Sequence, residues 1–179
     1  QHSIELVGGD TTAGPLNICI TVFGEVPNGT ALLRSGARAD DELWVSGTLG
    51  DARLALEAFR GHVALDGAGF EQARRAMELP QPRVALGQAL RGIASSAIDL
   101  SDGLVGDLGH MLSRSAVGAE LRLAQLPCSA LLAAQPPALR DECLLAGGDD
   151  YELLFTAPPA KHDEVLRAAQ QAGTPVVAI

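Results

Sequence analysis

Three short loops set aspartates beside glycine or serine where an apolar run meets another element: Gly8-Gly9-Asp10-Thr11-Thr12, Asp99-Leu100-Ser101-Asp102-Gly103, and Gly147-Gly148-Asp149-Asp150-Tyr151-Glu152. Glycine lets backbone N–H groups approach a phosphate closely, and carboxylate oxygens are hard ligands suited to Mg2+. In the first loop Asp10 either offers such oxygens or bonds its own backbone in an ordinary turn. The second loop runs into an amphipathic helix, whose unpaired N–H groups and positive dipole end suit an anion. Asp99 and Asp102, with the Ser101 hydroxyl between them, are spaced to hold one or two Mg2+ ions. The simpler alternative makes Ser101 or Asp102 a plain helix cap, which accounts for one acid and not for the pair. Asp107 falls within that helix and reads as solvated. In the third loop Asp149 and Asp150 repel each other unless a cation or a hydrogen-bond donor neutralises them, or else they lie in a solvated turn.

Among the cations, Arg34 in Leu32-Leu33-Arg34-Ser35-Gly36 sits between strand candidates, placed either to grip a phosphate with two N–H groups or to serve as a surface arginine. No histidine pairing of metal-binding type, no Ser-His-Asp or Cys-His set and no G-x-x-x-x-G-K-[ST] loop occurs, so a nucleotide here is not held by a P-loop.

A net charge of −9 argues against a broad nucleic-acid surface, which needs a Lys/Arg footprint, but leaves room for a phosphate ligand bridged by metal ions. With 47% hydrophobic and 20% charged residues over 179 positions, the chain reads as globular and able to bury a core, which must be aliphatic because aromatics are only 3%. Cys19, Cys128 and Cys143 are odd in number and have no C-x-x-C spacing; they read as small buried residues of a reducing compartment. No run approaches the ~20 apolar residues of a membrane span and no leader opens the chain, so a cytoplasmic, membrane-free protein is expected.

The elements that must position the loops follow from local pattern. Strands are expected at 4–7, 15–26, 42–47, 95–100, 120–126 and 151–157, and helices near 51–60, 70–78, 83–93, 103–115 and from 160 to about 171. The helix after Asp102 carries Leu104, Val105, Leu108, Met111 and Leu112 on one face at the 3.6-residue period. Strands and helices do not strictly alternate, which predicts an α+β fold, a mixed sheet with helices packed on it. Both ends read as cut: the chain opens on Gln1-His2-Ser3 without Met and stops in a strand-like run, Thr174 to Ile179.

Taken in order, Gly8-Gly9-Asp10-Thr11-Thr12, Gly24-Glu25-Val26-Pro27, Leu33-Arg34-Ser35-Gly36-Ala37, Val45 to Asp51, Pro82-Arg83-Val84, Ala97 to Leu104 and Gly147 to Leu153 resemble the thiamine-monophosphate kinase family across nearly the whole chain. The resemblance implies the aminoimidazole-ribonucleotide-synthetase-like fold: residues 1–14 as the remnant of an N-terminal ATP-binding domain, and residues 15–179 as a C-terminal α+β domain truncated at its end. It implies a homodimer formed through that N-terminal domain, and direct transfer of the γ-phosphoryl of ATP to thiamine monophosphate. Carried over by motif, Asp10, Asp99 and Asp102 hold Mg2+; Gly9, Asp10, Arg34 and Ser101 meet ATP; and Asp149 meets the thiamine moiety. The family usually has Glu, one methylene longer, where Asp149 stands. The acceptor phosphate is already a nucleophile, so no general base is required. The family's other acidic motifs and its far C-terminal aromatic contact are absent, and this chain alone is expected to be inactive. Alternatives are another ATP-dependent enzyme of the superfamily (aminoimidazole ribonucleotide synthetase, selenophosphate synthetase or hydrogenase-maturation dehydratase type) or a non-enzymatic nucleotide- and Mg2+-binding module.

Overall fold

The computed structural model describes residues 4–179; Gln1–Ser3, and with them the abrupt start of the sequence, lie outside the described residues. The element order is β1 (Glu42–Ser46), α1 (Asp51–Phe59), α2 (Gly67–Glu78), α3 (Val84–Ala89), β2 (Ser96–Asp99), α4 (Leu104–Ser115), α5 (Ala130–Ala133), α6 (Pro137–Ala146), β3 (Leu153–Ala157), α7 (His162–Ala172) and β4 (Val176–Ala178). Short 3₁₀ turns stand at Leu123–Gln125 and Pro159–Lys161.

The strands form one sheet in the order β2-β3-β1-β4. The α+β class is as expected, and within it every pairing is antiparallel rather than mixed: Trp44 faces Phe155, Ile98 faces Leu154, and Val45 faces Val177. The helical crossovers explain this. The path from β1 through α1–α3 to β2 returns parallel to β1, but β3 slots between them; α7 likewise returns the chain to β4, parallel to β3, with β1 between. Each crossover is thus a split β-α-β unit, and no two parallel strands touch.

Helices cover both faces, so strand side chains are buried whichever way they alternate. Leu43, Val45 and Leu154 point into one cluster with Leu49 and Leu54 of the α1 region, Leu104, Leu108 and Met111 of α4, and Leu144 of α6. Trp44, Phe155 and Ala157 point into the other with Leu86 of α3, Leu90, and Val165, Ala168 and Ala169 of α7. Trp44 and Phe155 lie nearly parallel with ring centroids 6.3 Å apart. Burying a Leu, Met or Phe side chain contributes about 1.5–3 kcal/mol, so the stripe Leu104, Leu108 and Met111 anchors α4 and, with it, the loop just before it.

Several expected elements do not form. Residues 4–26 contain no strand, and their apolar side chains are exposed: Leu6 is 91% accessible and Leu16 93%. A strand is stable only with a hydrogen-bonded neighbour, and no described residue pairs with this stretch. Residues 120–126 yield only the 3₁₀ turn: none of them pairs with the sheet, and only Leu126 is buried, with Leu121 partly buried against the core. The helix expected at 83–93 stops at Ala89, with Gly92 at φ 74° just beyond. Cys143 is buried as expected, but Cys128 is only partly so and Cys19, in the extended segment, is exposed.

Candidate functional site

The second and third acidic loops meet at one end of the β2–β3 pair. Beyond the strands the antiparallel ladder continues through main chain alone: Leu100 N–H donates to Glu152 O (2.9 Å), Tyr151 N–H to Leu100 O (2.8 Å) and Asp149 N–H to Ser101 O (3.0 Å). Contact is close enough that a Cβ on Gly148 would lie 2.6 Å from Ser101 O, which is why only glycine fits there. Asp149 (φ 64°) and Tyr151 (φ 50°) both take the left-handed conformation, a strained choice for residues with side chains. Asp99, Asp102, Asp149 and Tyr151 all emerge exposed from this junction. Tyr151 Oη donates to Asp149 Oδ1 at 3.3 Å. The negative charge of Asp149, aided by partial burial and by Asp99 and Asp102, pushes the Tyr151 phenol above its ordinary value.

Asp107 holds the second loop in place. It is buried, at 3% accessibility, and its Oδ2 accepts from the consecutive N–H groups of Ser101 (3.0 Å), Asp102 (3.0 Å) and Gly103 (3.2 Å). The expectation of a solvated Asp107 is therefore corrected, and so is that of a cap by Ser101 or Asp102: the N-cap position is Gly103 (φ 114°), which has no capping side chain. Periodicity held the signal, since Asp107 lies on the same stripe as Leu104, Leu108 and Met111, the face that must be buried; Val105, expected on that face, is instead exposed beside it.

Arg34 reaches the same neighbourhood from the other side. Leu33 O accepts from Ala97 N–H (2.9 Å), laying residues 32–34 along the outer edge of β2. Ser115 Oγ, at the end of α4, accepts from Gly36 and Ala37 N–H (3.2 Å each) and donates to Arg34 O (3.3 Å). The result is an open cleft of about 620 Å³ with Leu32, Leu33, Val84 and Leu153 among its apolar lining and Arg34, Arg91 and Asp99 among its charged lining. The structure thus brings Asp99, Ser101, Asp102 and Asp149 together at one end of the β2–β3 pair, while Arg34 shares the cleft with Asp99 alone among them. It does not add Gly9 or Asp10. That loop is exposed, nothing comes within 4 Å of a Cβ built on Gly9, and the Asp10 carboxylate accepts only from Thr11 N–H (2.8 Å) among the described residues.

Beneath the loops lies a network that local sequence reading missed. Glu152, 6% accessible, takes both arms of the Arg83 guanidinium (Nε to Oε2, 2.7 Å; Nη2 to Oε1) and the hydroxyl of Ser46 (2.5 Å). Ser46 Oγ in turn accepts from Leu153 N–H (2.8 Å). The pairing keeps Arg83 charged to a higher pH than usual. Gly47, at φ 62°, packs directly against this carboxylate and leaves no space for a side chain. The partners sit 69 and 106 positions apart in sequence, so no spacing rule could pair them. Asp150, expected to need a neutralising partner or solvent, accepts from Gly50 N–H (2.9 Å) at the start of α1. Burial, reinforced by the charges of Glu152, Asp51 and Asp149 and only partly offset by that hydrogen bond, pushes its carboxyl up to about 7.

Among the described residues no three His, Cys, Asp or Glu side chains converge closely enough to enclose a metal ion. That does not conflict with Mg2+, which is usually held by one or two carboxylates and completed by phosphates and water; Asp99 and Asp102 fit that partial role. Among the described residues no helix is long and apolar enough to cross a membrane.

Comparison with known proteins gives a consistent picture. Residues 38–179 match the family model described as AIR synthase related protein, C-terminal domain. Thiamine-monophosphate kinase of Escherichia coli (strain K12) is 41% identical over 180 residues, covering 99% of this chain and 55% of the relative. The crystal structure of thiamine-monophosphate kinase from Stenotrophomonas maltophilia K279a superposes with a TM-score of 0.81 at 41% identity, over 86% of this chain and 51% of that one. AaThiL complexed with AMPPCP and TMP superposes with a TM-score of 0.69 at 30% identity, over 83% of this chain and 46% of that one. The chain spans about half the length of the curated relatives it matches.

Proposed function

We propose, from the premise that this chain belongs to the AIR synthase related protein family and carries its C-terminal domain, that it is the C-terminal part of a thiamine-monophosphate kinase. The reaction is transfer of the γ-phosphoryl of ATP to the phosphate of thiamine monophosphate. The observation that carries the reading is the main-chain pairing of the Asp99–Gly103 and Gly147–Glu152 loops, which puts separate acidic motifs at one end of the sheet beside the Arg34 cleft. Similarity to thiamine-monophosphate kinases over 99% of the chain, and the complex of one relative with AMPPCP and TMP, support the same assignment.

In this reading Asp99 and Asp102 hold Mg2+, Ser101 and Arg34 contact ATP, and Asp149 faces the thiamine moiety. Mg2+, when bound, supplies charge neutralisation to the polyphosphate. Arg34 places a fixed positive charge in the cleft, suited to a phosphate oxygen. The left-handed Asp149 and Tyr151 present an acceptor and a phenol side by side, beside the donor cleft rather than within it. Phosphoryl transfer asks mainly for such positioning and charge complementarity. Gly9 and Asp10 would join from the exposed N-terminal segment as part of an N-terminal domain, which is also where a homodimer would form. A cytoplasmic location accords with both soluble substrates.

The test is direct. The intact protein, given ATP, Mg2+ and thiamine monophosphate, is expected to form thiamine diphosphate and ADP, and the 179-residue chain alone is expected to form none. Nucleotide binding by the intact protein with no transfer to thiamine monophosphate would refute the assignment. Asp99→Asn and Asp102→Asn should each abolish turnover while leaving the unfolding transition in place.

A further inference from the structure

We infer that Ser115 is a positioning residue for Arg34: its hydroxyl ties the Arg34–Ala37 turn to the end of α4, the helix whose start carries the Asp99–Gly103 loop. The inference rests on the functional reading above, in which Arg34 contacts ATP. A hydroxyl offers one hydrogen to donate and two lone pairs to accept. Ser115 spends all three on one distant turn, donating to Arg34 O (3.3 Å) and accepting from Gly36 and Ala37 N–H (3.2 Å each). These partners lie 78 to 81 positions away, whereas a serine within a helix ordinarily bonds a carbonyl of its own preceding turn. The turn is shaped to this anchor. Leu33 O accepts from Ala97 N–H (2.9 Å), Ala37 is buried, and a Cβ on Gly36 (φ 126°) would strike Ser95 O.

Arg34 itself is exposed, so the direction of its guanidinium follows from where its main chain is held. Ser115 lies outside the cleft that Arg34 lines and acts on a nucleotide only through that main chain. The helix makes the arrangement rigid. It is closed at its end by Ala116 (φ 55°), whose N–H donates to Leu112 O, and Leu104, Leu108 and Met111 bury its apolar stripe. Its 12 residues make a strut of about 18 Å. One end of the strut sets Asp99 and Asp102, and the other sets the main chain of Arg34. A polyphosphate then meets a cation site and an arginine whose separation is fixed before it binds, the positioning that phosphoryl transfer asks for.

The experiment uses the intact protein, with binding of ATP and Mg2+ followed by calorimetry, KM measured for ATP and for thiamine monophosphate, and unfolding followed by circular dichroism. Ser115→Ala is expected to weaken ATP binding and raise the KM for ATP by roughly tenfold, as when one or two orienting hydrogen bonds are given up. The KM for thiamine monophosphate should stay where it is. The unfolding transition should move little, because water replaces the lost partner at the exposed main chain of Arg34 and Gly36. Ser115→Thr, which keeps the hydroxyl, should restore nucleotide affinity. Ser115→Cys, close in size but a poor hydrogen-bond partner, should behave like the alanine variant and replaces it if that protein does not fold. A double-mutant cycle decides the route: with Arg34→Ala already in place, the Ser115 substitution should cost nothing further. Unchanged ATP affinity in the folded Ala or Cys variant, a parallel rise in both KM values, or an equal loss with Arg34 already removed overturns the inference and leaves the kinase assignment standing. If the unsubstituted protein binds ATP but transfers nothing to thiamine monophosphate, the assignment falls and the calorimetric cycle alone decides the role of Ser115. Failure of the unsubstituted protein to bind ATP with Mg2+ overturns both.

Discussion

The Gly8–Thr12 and Asp99–Gly103 loops carry much the same local signal, an aspartate with glycine and a hydroxyl residue at the end of an apolar run, yet they differ in what stands behind them. Nothing packs within 4 Å of a Cβ built on Gly8 or Gly9, and the Asp10 carboxylate turns back on its own neighbour. Behind Asp99–Gly103 stand Asp107, the ladder to residues 149–152 and, one layer further in, the Glu152–Arg83–Ser46 network. The difference teaches that carboxylates in a glycine-rich loop become a preorganised site only when a second layer of hydrogen bonds holds the loop. The Asp10 loop, if it takes part, must borrow that layer from elsewhere.

The contrast can be broken from its supported side. Arg83→Ala leaves the buried Glu152 carboxylate without its partner and should cost about 3–5 kcal/mol, read as a lower urea midpoint; a loss near zero would mean the network does not support the loops. Gly148→Ala comes next. The added methyl must displace Ser101 O, a strain of about 1–3 kcal/mol by analogy with overpacked cores, and it should weaken divalent-cation binding in parallel.

A smaller effect depends on pH. The Asp150 carboxyl is held at about 7 in the folded protein, above its ordinary 3.8, so between those values the folded state carries the extra proton. Stability contributed by this group is therefore lost as pH rises from about 4 to 7 and stays lost above that. Asp150→Asn keeps an acceptor for Gly50 N–H and removes the charge. It should raise the melting temperature at pH 8, change it little at pH 4, and flatten the slope between. A lower melting temperature at pH 8 would show that the ionised carboxylate is needed where it stands. Smallest of all, Asp10→Asn should leave the unfolding curve unchanged, although turnover by the intact protein should fall if Asp10 holds Mg2+. A clear loss of stability would show that the first loop is supported after all.

Much of the site could be read from local pattern. The pairing of Asp99 with Asp102, the helix that follows, and the acidic run at 149–152 are contiguous in sequence, and their residue types state their chemistry. Asp107 was legible in principle from its place on the α4 stripe, and the rule that acids prefer solvent pointed the other way. Glu152 with Arg83, and Asp150 with Gly50, were not legible, because each pair joins elements 69 and 100 residues apart. The apolar alternation at 16–23 reads as a strand and pairs with nothing among the described residues.

By itself the sequence determined the helix periods, the positions of the strands that form the sheet, the absence of a P-loop, and the oxygen-rich loops that suit a hard cation. These are local properties, set by side-chain type and by spacing along the chain. Only the tertiary structure decided that two of the three acidic loops share one edge, that the Asp107 carboxylate turns inward to hold the loop before α4, and that a buried glutamate paired with an arginine stands beneath them. Those outcomes depend on which distant elements the split crossovers bring together, and burial then decides which carboxylates face solvent and which become part of the framework.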